Sequence, residues 1–112
     1  MSDRLPSDML VSALVRRVND AGGLGVVRAK GDRQAGAILV VMADRAAIPR
    51  VLERGVGPDG RTALIDATPR EADAAAVEAY WRRRRERDPD LWVVELDVPS
   101  AERFAAETML GR

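Results

Sequence analysis

Leu91-Trp92-Val93-Val94-Glu95-Leu96-Asp97 is the stretch whose reading decides the fold. Alternate side chains of a strand point to opposite faces, so Trp92, Val94 and Leu96 share one side. Leu91, Val93, Glu95 and Asp97 share the other. Both sides carry bulky apolar residues, which places the strand inside a sheet rather than at its edge. Pro89 and Pro99 bound it, and Asp88, standing before a proline, is pushed out of the helical region and marks the end of a preceding helix.

Working upstream, Thr68-Pro69-Arg70-Glu71 opens that helix. Thr68 reads as its N-cap, Pro69 as its first helical residue and Glu71 as the reciprocal partner of a capping box. The helix then runs to Arg87. Before it, four short β-rich runs are predicted: Leu24 to Lys30, Ala37 to Met42, Arg50 to Val56 and Arg61 to Ile65. Gly31 to Gly36 reads as a hairpin loop, Ala43 to Ile48 as a loop or tight turn, and Pro58-Asp59-Gly60 as a turn. At the front, Leu10, Leu14 and Val18 recur at helical spacing, with Val11 and Val15 widening the stripe. This predicts a first helix over residues 8–21, with Ser7 as N-cap and Gly22-Gly23 as a positive-φ ending. Downstream, Ser100 reads as the cap of a short helix through Leu110, anchored by Phe104.

The expectation is one α+β domain over residues 1–112 with element order α-β-β-β-β-α-β-α. Its sheet is mostly antiparallel and four- to five-stranded, with the two main helices packed on one face.

Composition narrows the chemistry. The chain has 112 residues, 18 Lys+Arg against 18 Asp+Glu, and neither Cys nor His. Thiol nucleophiles, Ser-His-Asp triads and the usual zinc sites are thereby excluded. Zero net charge supplies no overall field to draw in nucleic acid or an anionic surface. The opening residues lack the apolar core of a signal peptide, and no apolar run approaches the roughly 20 residues of a membrane span. Cytoplasmic residence without membrane contact is the expectation, and no cofactor or metal is expected.

The segment Tyr80-Trp81-Arg82-Arg83-Arg84-Arg85-Glu86-Arg87 could contact nucleic acid, with arginines on phosphates and an aromatic for stacking. Successive helical residues lie about 100° apart, however, so these arginines spray around the helix. Glu78–Arg82, Arg82–Glu86 and Arg84–Asp88 stand at ion-pairing spacing, and Arg84 shares a face with Val77 and Trp81. A solvated helix face is the stronger reading. Arg82, Arg83, Arg85 and Arg87 nevertheless remain candidate binding residues, with Trp92 beside them as a core residue that could also stack on a ligand. Gly22-Gly23-Leu24-Gly25 follows a helix rather than preceding one, so its dipole points the wrong way for a phosphate. Asp88, Asp90, Glu95 and Asp97 could hold a cation or work as acid and base, but Asp-Pro-Asp is also a plain turn. Ser7, Ser12 and Ser100 have no histidine to activate them. No catalytic residue is assigned.

Three pieces together carry a family resemblance: Val11-Ser12-Ala13-Leu14-Val15-Arg16-Arg17 with Ala21-Gly22-Gly23; Arg28-Ala29-Lys30-Gly31-Asp32 with Ala35-Gly36-Ala37; and Asp88-Pro89-Asp90-Leu91-Trp92-Val93-Val94-Glu95-Leu96. In order and spacing the chain resembles, from about Val11 to Asp97, a small bacterial family catalogued as domain of unknown function 1491, found mainly in alphaproteobacteria. The resemblance implies a short cytoplasmic protein and brings no catalytic residues with it. It also implies that the Lys30-Gly31-Asp32 turn and the Asp-Pro-Asp-Leu-Trp strand are family features. Family members often carry an aromatic near the start of the first helix, where this chain has Met9, Leu10 and Val11.

The leading functional expectation is a small non-enzymatic interaction or adaptor module that binds another protein, with a homodimer through an exposed strand edge as one form. The second is nucleic-acid binding through Arg82, Arg83, Arg85 and Arg87, helped by Arg16 and Arg17. The third is a small-ligand binder or an enzyme using Asp and Glu chemistry, which requires a concave pocket and a carboxylate of raised pKa.

Overall fold

The structure, a computed structural model, describes residues 5–43 and 49–111. Along the chain come α1 (Ser7–Asp20), β1 (Leu24–Ala29), β2 (Ile38–Met42), β3 (Arg50–Val56), β4 (Thr62–Asp66), α2 (Ala74–Arg87), β5 (Trp92–Asp97) and α3 (Ala101–Leu110). The α+β class and the element order are those expected. Most of the turn expected over Ala43 to Ile48 lies outside the described residues.

The sheet is mixed, with strand order β1-β5-β2-β3-β4. β5 occupies the interior position its two-sided apolar pattern demands, antiparallel to β1 and parallel to β2. Every residue of β2 is buried, as a central strand requires. The expected hairpin between β1 and β2 does not form, because β5 lies between them. The connecting loop must step past the start of β5, spanning two inter-strand spacings of about 4.8 Å. It passes so closely that a Cβ on Gly31 or Gly36 would collide with the carbonyl oxygen of Asp90. β2, β3 and β4 make the expected antiparallel meander, and β1 alone of the first four strands lies outside it.

The single helical face is also corrected. Leu10, Leu14 and Val18 of α1 and Ala105 of α3 pack with Val40 and Val94 on one side of the sheet. Val77 and Trp81 of α2 pack with Leu39, Val51 and Val93 on the other. Each strand of a two-sided sheet needs cover on both faces, and one helix layer cannot supply it.

Three caps differ from the sequence reading. Ser7 begins α1 from inside: its hydroxyl donates to Gly36 O at 2.6 Å, while its amide donates to Gln34 O. α2 starts at Ala74, capped by Asp73, whose Oδ1 accepts from Ala76 N at 2.7 Å. Thr68 instead ties down the end of β4, its Oγ1 accepting from Val51 N at 2.9 Å. Ser100 has a left-handed backbone (φ 60°) and makes no side-chain cap. Gly22 does take the positive φ expected after α1, at 88°. In α3 the buried anchors are Ala101, Ala105 and Met109, with Phe104 only half-buried beneath Arg17.

Candidate functional site: a groove between the first helix and an edge strand

α1 lies over β1 and β5 with its apolar stripe inward. Val11 and Val15 sit at the margin of that stripe nearest β1, and there the sheet ends. A hollow of about 680 Å³ opens between helix and edge strand. Val11, Val15, Val27 and Trp92 form an apolar floor, and Ser12, Arg16, Lys30 and Arg33 stand among the polar residues around it. The volume falls within the range of small-molecule and peptide-side-chain sites, about 300–1,000 Å³. Arg33 pairs with Asp8 at 3.3 Å. The exposed side chains of Arg16 and Lys30 make no hydrogen bond or ion pair with the described residues.

One end of the groove is held by a network that joins two of the three sequence pieces. The Trp92 indole N–H donates to Asp32 O at 2.7 Å, and Asp32 N donates to Asp90 O at 2.9 Å. The side chain of Asp32 accepts from Ala35 N at 2.9 Å, shaping the loop. Gln34 and Arg33 carbonyls accept from the first two amides of α1. The loop thus seats the helix N-terminus, fixes Trp92 and forms the groove wall. Trp92 is a core residue with its N–H satisfied, as expected, and it also contributes to the groove floor.

The outer edge of β1 is blocked against strand addition. Asn19 Oδ1 accepts from Gly25 N at 2.9 Å, and the register with β5 shifts between Val27 and Ala29. A plugged amide and a bulge are both edge-protecting features. The groove is therefore a receptacle for side chains or a small molecule rather than a template for another strand.

The arginines of α2 are mostly committed within the chain. Arg84 holds Glu53 through both terminal guanidinium nitrogens, Nη1 and Nη2, at 2.9 and 3.0 Å, and also donates to Tyr80 Oη. The Glu53 carboxylate raises the pKa of Arg84 well above the ordinary arginine value. Arg85 donates to the carbonyls of Lys30, Pro89 and Leu91, closing the end of α2 onto the following turn. Arg82 pairs with Glu78 at 3.1 Å and lies over the Trp81 ring at 4.8 Å. Arg28 covers the same ring at 5.4 Å while bonding Glu95 at 2.7 Å and Glu78 at 3.0 Å. Its pKa is raised, chiefly by Glu95, and that of Glu78 is lowered, chiefly by Arg82. Of the expected ion pairs, Glu78–Arg82 forms, whereas Arg84 turns to Glu53.

Among the four candidate arginines, Arg83 and Arg87 are exposed and without a described partner. Arg17 sits on the other face of the sheet, bonded to Glu107 and Thr108. The two basic groups do not merge into one surface. Asp88 accepts from Asp90 N as an ordinary turn, and Glu95 is neutralised by Arg28. Among the described residues three carboxylates are displaced in pKa, Asp66, Glu78 and Glu107, and each is lowered. They are held ionised, which is unsuited to donating a proton near neutrality. Among the described residues no cluster of acidic side chains could hold a metal ion, and no helix is long and apolar enough to cross a membrane.

The groove lining escaped sequence reading because it is assembled from α1, β1, β5 and a loop. One signal was present: the α1 stripe, widened by Val11 and Val15, is broader than one row of sheet contacts needs.

A family model described as "Protein of unknown function (DUF1491)" matches residues 5–106. Among solved structures, the crystal structure of a DUF1491 family protein from Caulobacter crescentus is 33% identical, with a TM-score of 0.80 over 90% of this chain and 94% of that one. An NMR structure of a DUF1491 family protein from the same organism is 34% identical, with a TM-score of 0.76 over 89% and 91% of the two chains. The solution structure of a protein from A. tumefaciens is 33% identical, with a TM-score of 0.70 over 87% and 88%. No curated protein matches the chain.

Proposed function

This chain belongs to the DUF1491 family, and from that premise we propose that it is a non-enzymatic cytoplasmic binding module whose groove between α1 and β1 receives an apolar segment of another protein. The observation that carries this reading is the groove itself, a hollow of about 680 Å³ with an apolar floor and a mixed polar rim. Apolar floors supply affinity by burial, and polar rims supply orientation. The stitching of Trp92 to Asp32 keeps the wall in place before a partner arrives, which lowers the ordering cost of binding.

Nucleic-acid binding is the weaker alternative. Of its four arginines Arg82 pairs with Glu78 and Arg85 is engaged by three carbonyls, and Arg83 and Arg87 alone make a thin contact set. Acid–base catalysis has less support still, since every displaced carboxylate among the described residues is lowered.

The test is capture of partners from the parent cell extract by tagged wild-type protein and by Ser12→Arg, with and without nuclease. Ser12 is exposed on the groove rim, so an arginine there fills the hollow without disturbing the core. The expected result is a defined protein retained after nuclease by wild type and weakened about tenfold or more by Ser12→Arg, a change of ~1.4 kcal/mol. Equal retention by the variant, or loss of all partners on nuclease treatment, overturns the reading.

A further inference from the structure

The two edges of the sheet are unequal. β1 is blocked by Asn19 and by its bulge, whereas among the described residues no side chain caps the outward amides of Leu64 and Asp66, and β4 keeps an unbroken register with β3. Its register with β3 pairs Glu53 with Ile65 and Gly55 with Ala63. Two hydrogen bonds beyond the strand ends fix which residues turn inward: Ala67 N to Val51 O, and Gly57 N to Arg61 O. Residues 61, 63, 65 and 67 therefore bond to β3. By alternation, Leu64 and Asp66 turn their amides and carbonyls outward. Between Arg61 and Asp66 the strand has no charged residue, proline or bulge, and Ile65 is 40% exposed.

The order of side chains on the α2 face of this edge is self-complementary. Two copies placed antiparallel with Ile65 opposite Ile65 also set Ala63 opposite Ala67, small against small on either side of the large central pair. On the other face Leu64 stands opposite Asp66. No like charges oppose one another in this register, and the outward groups of Leu64 and Asp66 exchange main-chain hydrogen bonds across the axis. Unprotected edges of this kind pair with another chain unless something blocks them.

We propose that β4 is a homodimerisation edge, joining the sheets of two copies antiparallel about a twofold axis at Ile65. The inference is independent of the groove, which lies at the far end of the sheet. The contact is small, so the dimer is weak, with a Kd on the order of 10–100 μM.

Because the chain contains no cysteine, a single introduced thiol reports proximity without background. Opposed residues in such a non-hydrogen-bonded pair stand about 4.5 Å apart at Cα, close enough for a disulfide. Sedimentation of the wild type should show a concentration-dependent monomer–dimer equilibrium. Ile65→Lys should raise the dimer Kd at least about tenfold, since lysine on an edge strand opposes pairing. Mild oxidation should convert Ile65→Cys, but not Val26→Cys on the β1 edge, to a covalent dimer. A wild type that stays monomeric to about 0.5 mM, a dimer untouched by Ile65→Lys, or cross-linking that is equal at the two positions overturns the proposal. Both sites are well exposed, Ile65 at 40% and Val26 at 39%, so neither variant removes a core contact.

Discussion

Two glycines and a tryptophan explain why the most recognisable sequence pieces belong together. Gly31 and Gly36 pass against the Asp90 carbonyl, and Trp92 hangs its indole N–H on Asp32 O. The chain has no room there for a β-carbon, so Gly31→Ala is expected to cost about 2–3 kcal/mol, read as a fall in urea midpoint. An unchanged midpoint would show that the loop yields freely. Trp92→Phe keeps most of the buried ring but leaves Asp32 O with only its longer bond from Gly36 N, at 3.3 Å. It should cost about 1 kcal/mol, read as a fall in urea midpoint, and loosen one wall of the groove. At this scale the sequence was informative about identity and poor about partners. The bonded N–H of Trp92 could be expected from burial alone, but its acceptor, 60 residues upstream, could not. Ser7, Thr68 and Ser100 are all cap-forming by residue type. Tertiary contacts reassigned the first two, and a left-handed turn set the third.

α2 shows how a run of like residues divides by position on a helix. It buries only Val77 and Trp81, so polar ties supplement its attachment to the sheet. Arg84–Glu53 and the triple carbonyl contact of Arg85 are the chief ones. Arg83→Gln and Arg87→Gln should therefore leave stability within about 0.5 kcal/mol of wild type, while Arg85→Gln should cost about 1–3 kcal/mol by stranding carbonyls at the helix end. Thermal melts of the three variants check this, and equal effects would refute the division. That the run would not act as one patch was legible beforehand, since 100° steps scatter it. It could not say that Arg84 would leave Asp88 for Glu53, because β3 is 31 residues away. The hydrogen bonds and ion pairs of three carboxylates among the described residues also set an acid limit. Thr68 lowers the pKa of Asp66, Arg82 that of Glu78, and Arg103 that of Glu107. Carboxylates held low in the folded state are protonated more readily when unfolded, so stability rises with pH through their titration. The urea midpoint is expected to be flat from about pH 7 to 5 and to fall below about pH 4. A midpoint that rises on acidification would contradict these pairings.

At the level of the whole molecule, the class and the succession of elements were legible because periodicity and turn chemistry are local. The interior position of β5 was legible too, from its two apolar faces. Strand order was not. Leu24 to Lys30 and Ala37 to Met42, separated by a polar glycine-containing loop, satisfy every local rule for a hairpin. Yet β5 inserts between them, because an apolar two-sided strand must find two neighbours. That insertion sends α2 to the opposite face from α1 and leaves the margin of α1 overhanging an edge strand, so the groove is a consequence of topology. A direct check on its role is a photo-cross-linking amino acid placed in living cells at Ser12, on the groove rim, or at Arg83, on the exposed side of α2. The account predicts a covalent adduct with a defined protein from position 12 and little from position 83. Adducts from position 83 alone, or with nucleic acid in place of protein, would contradict it.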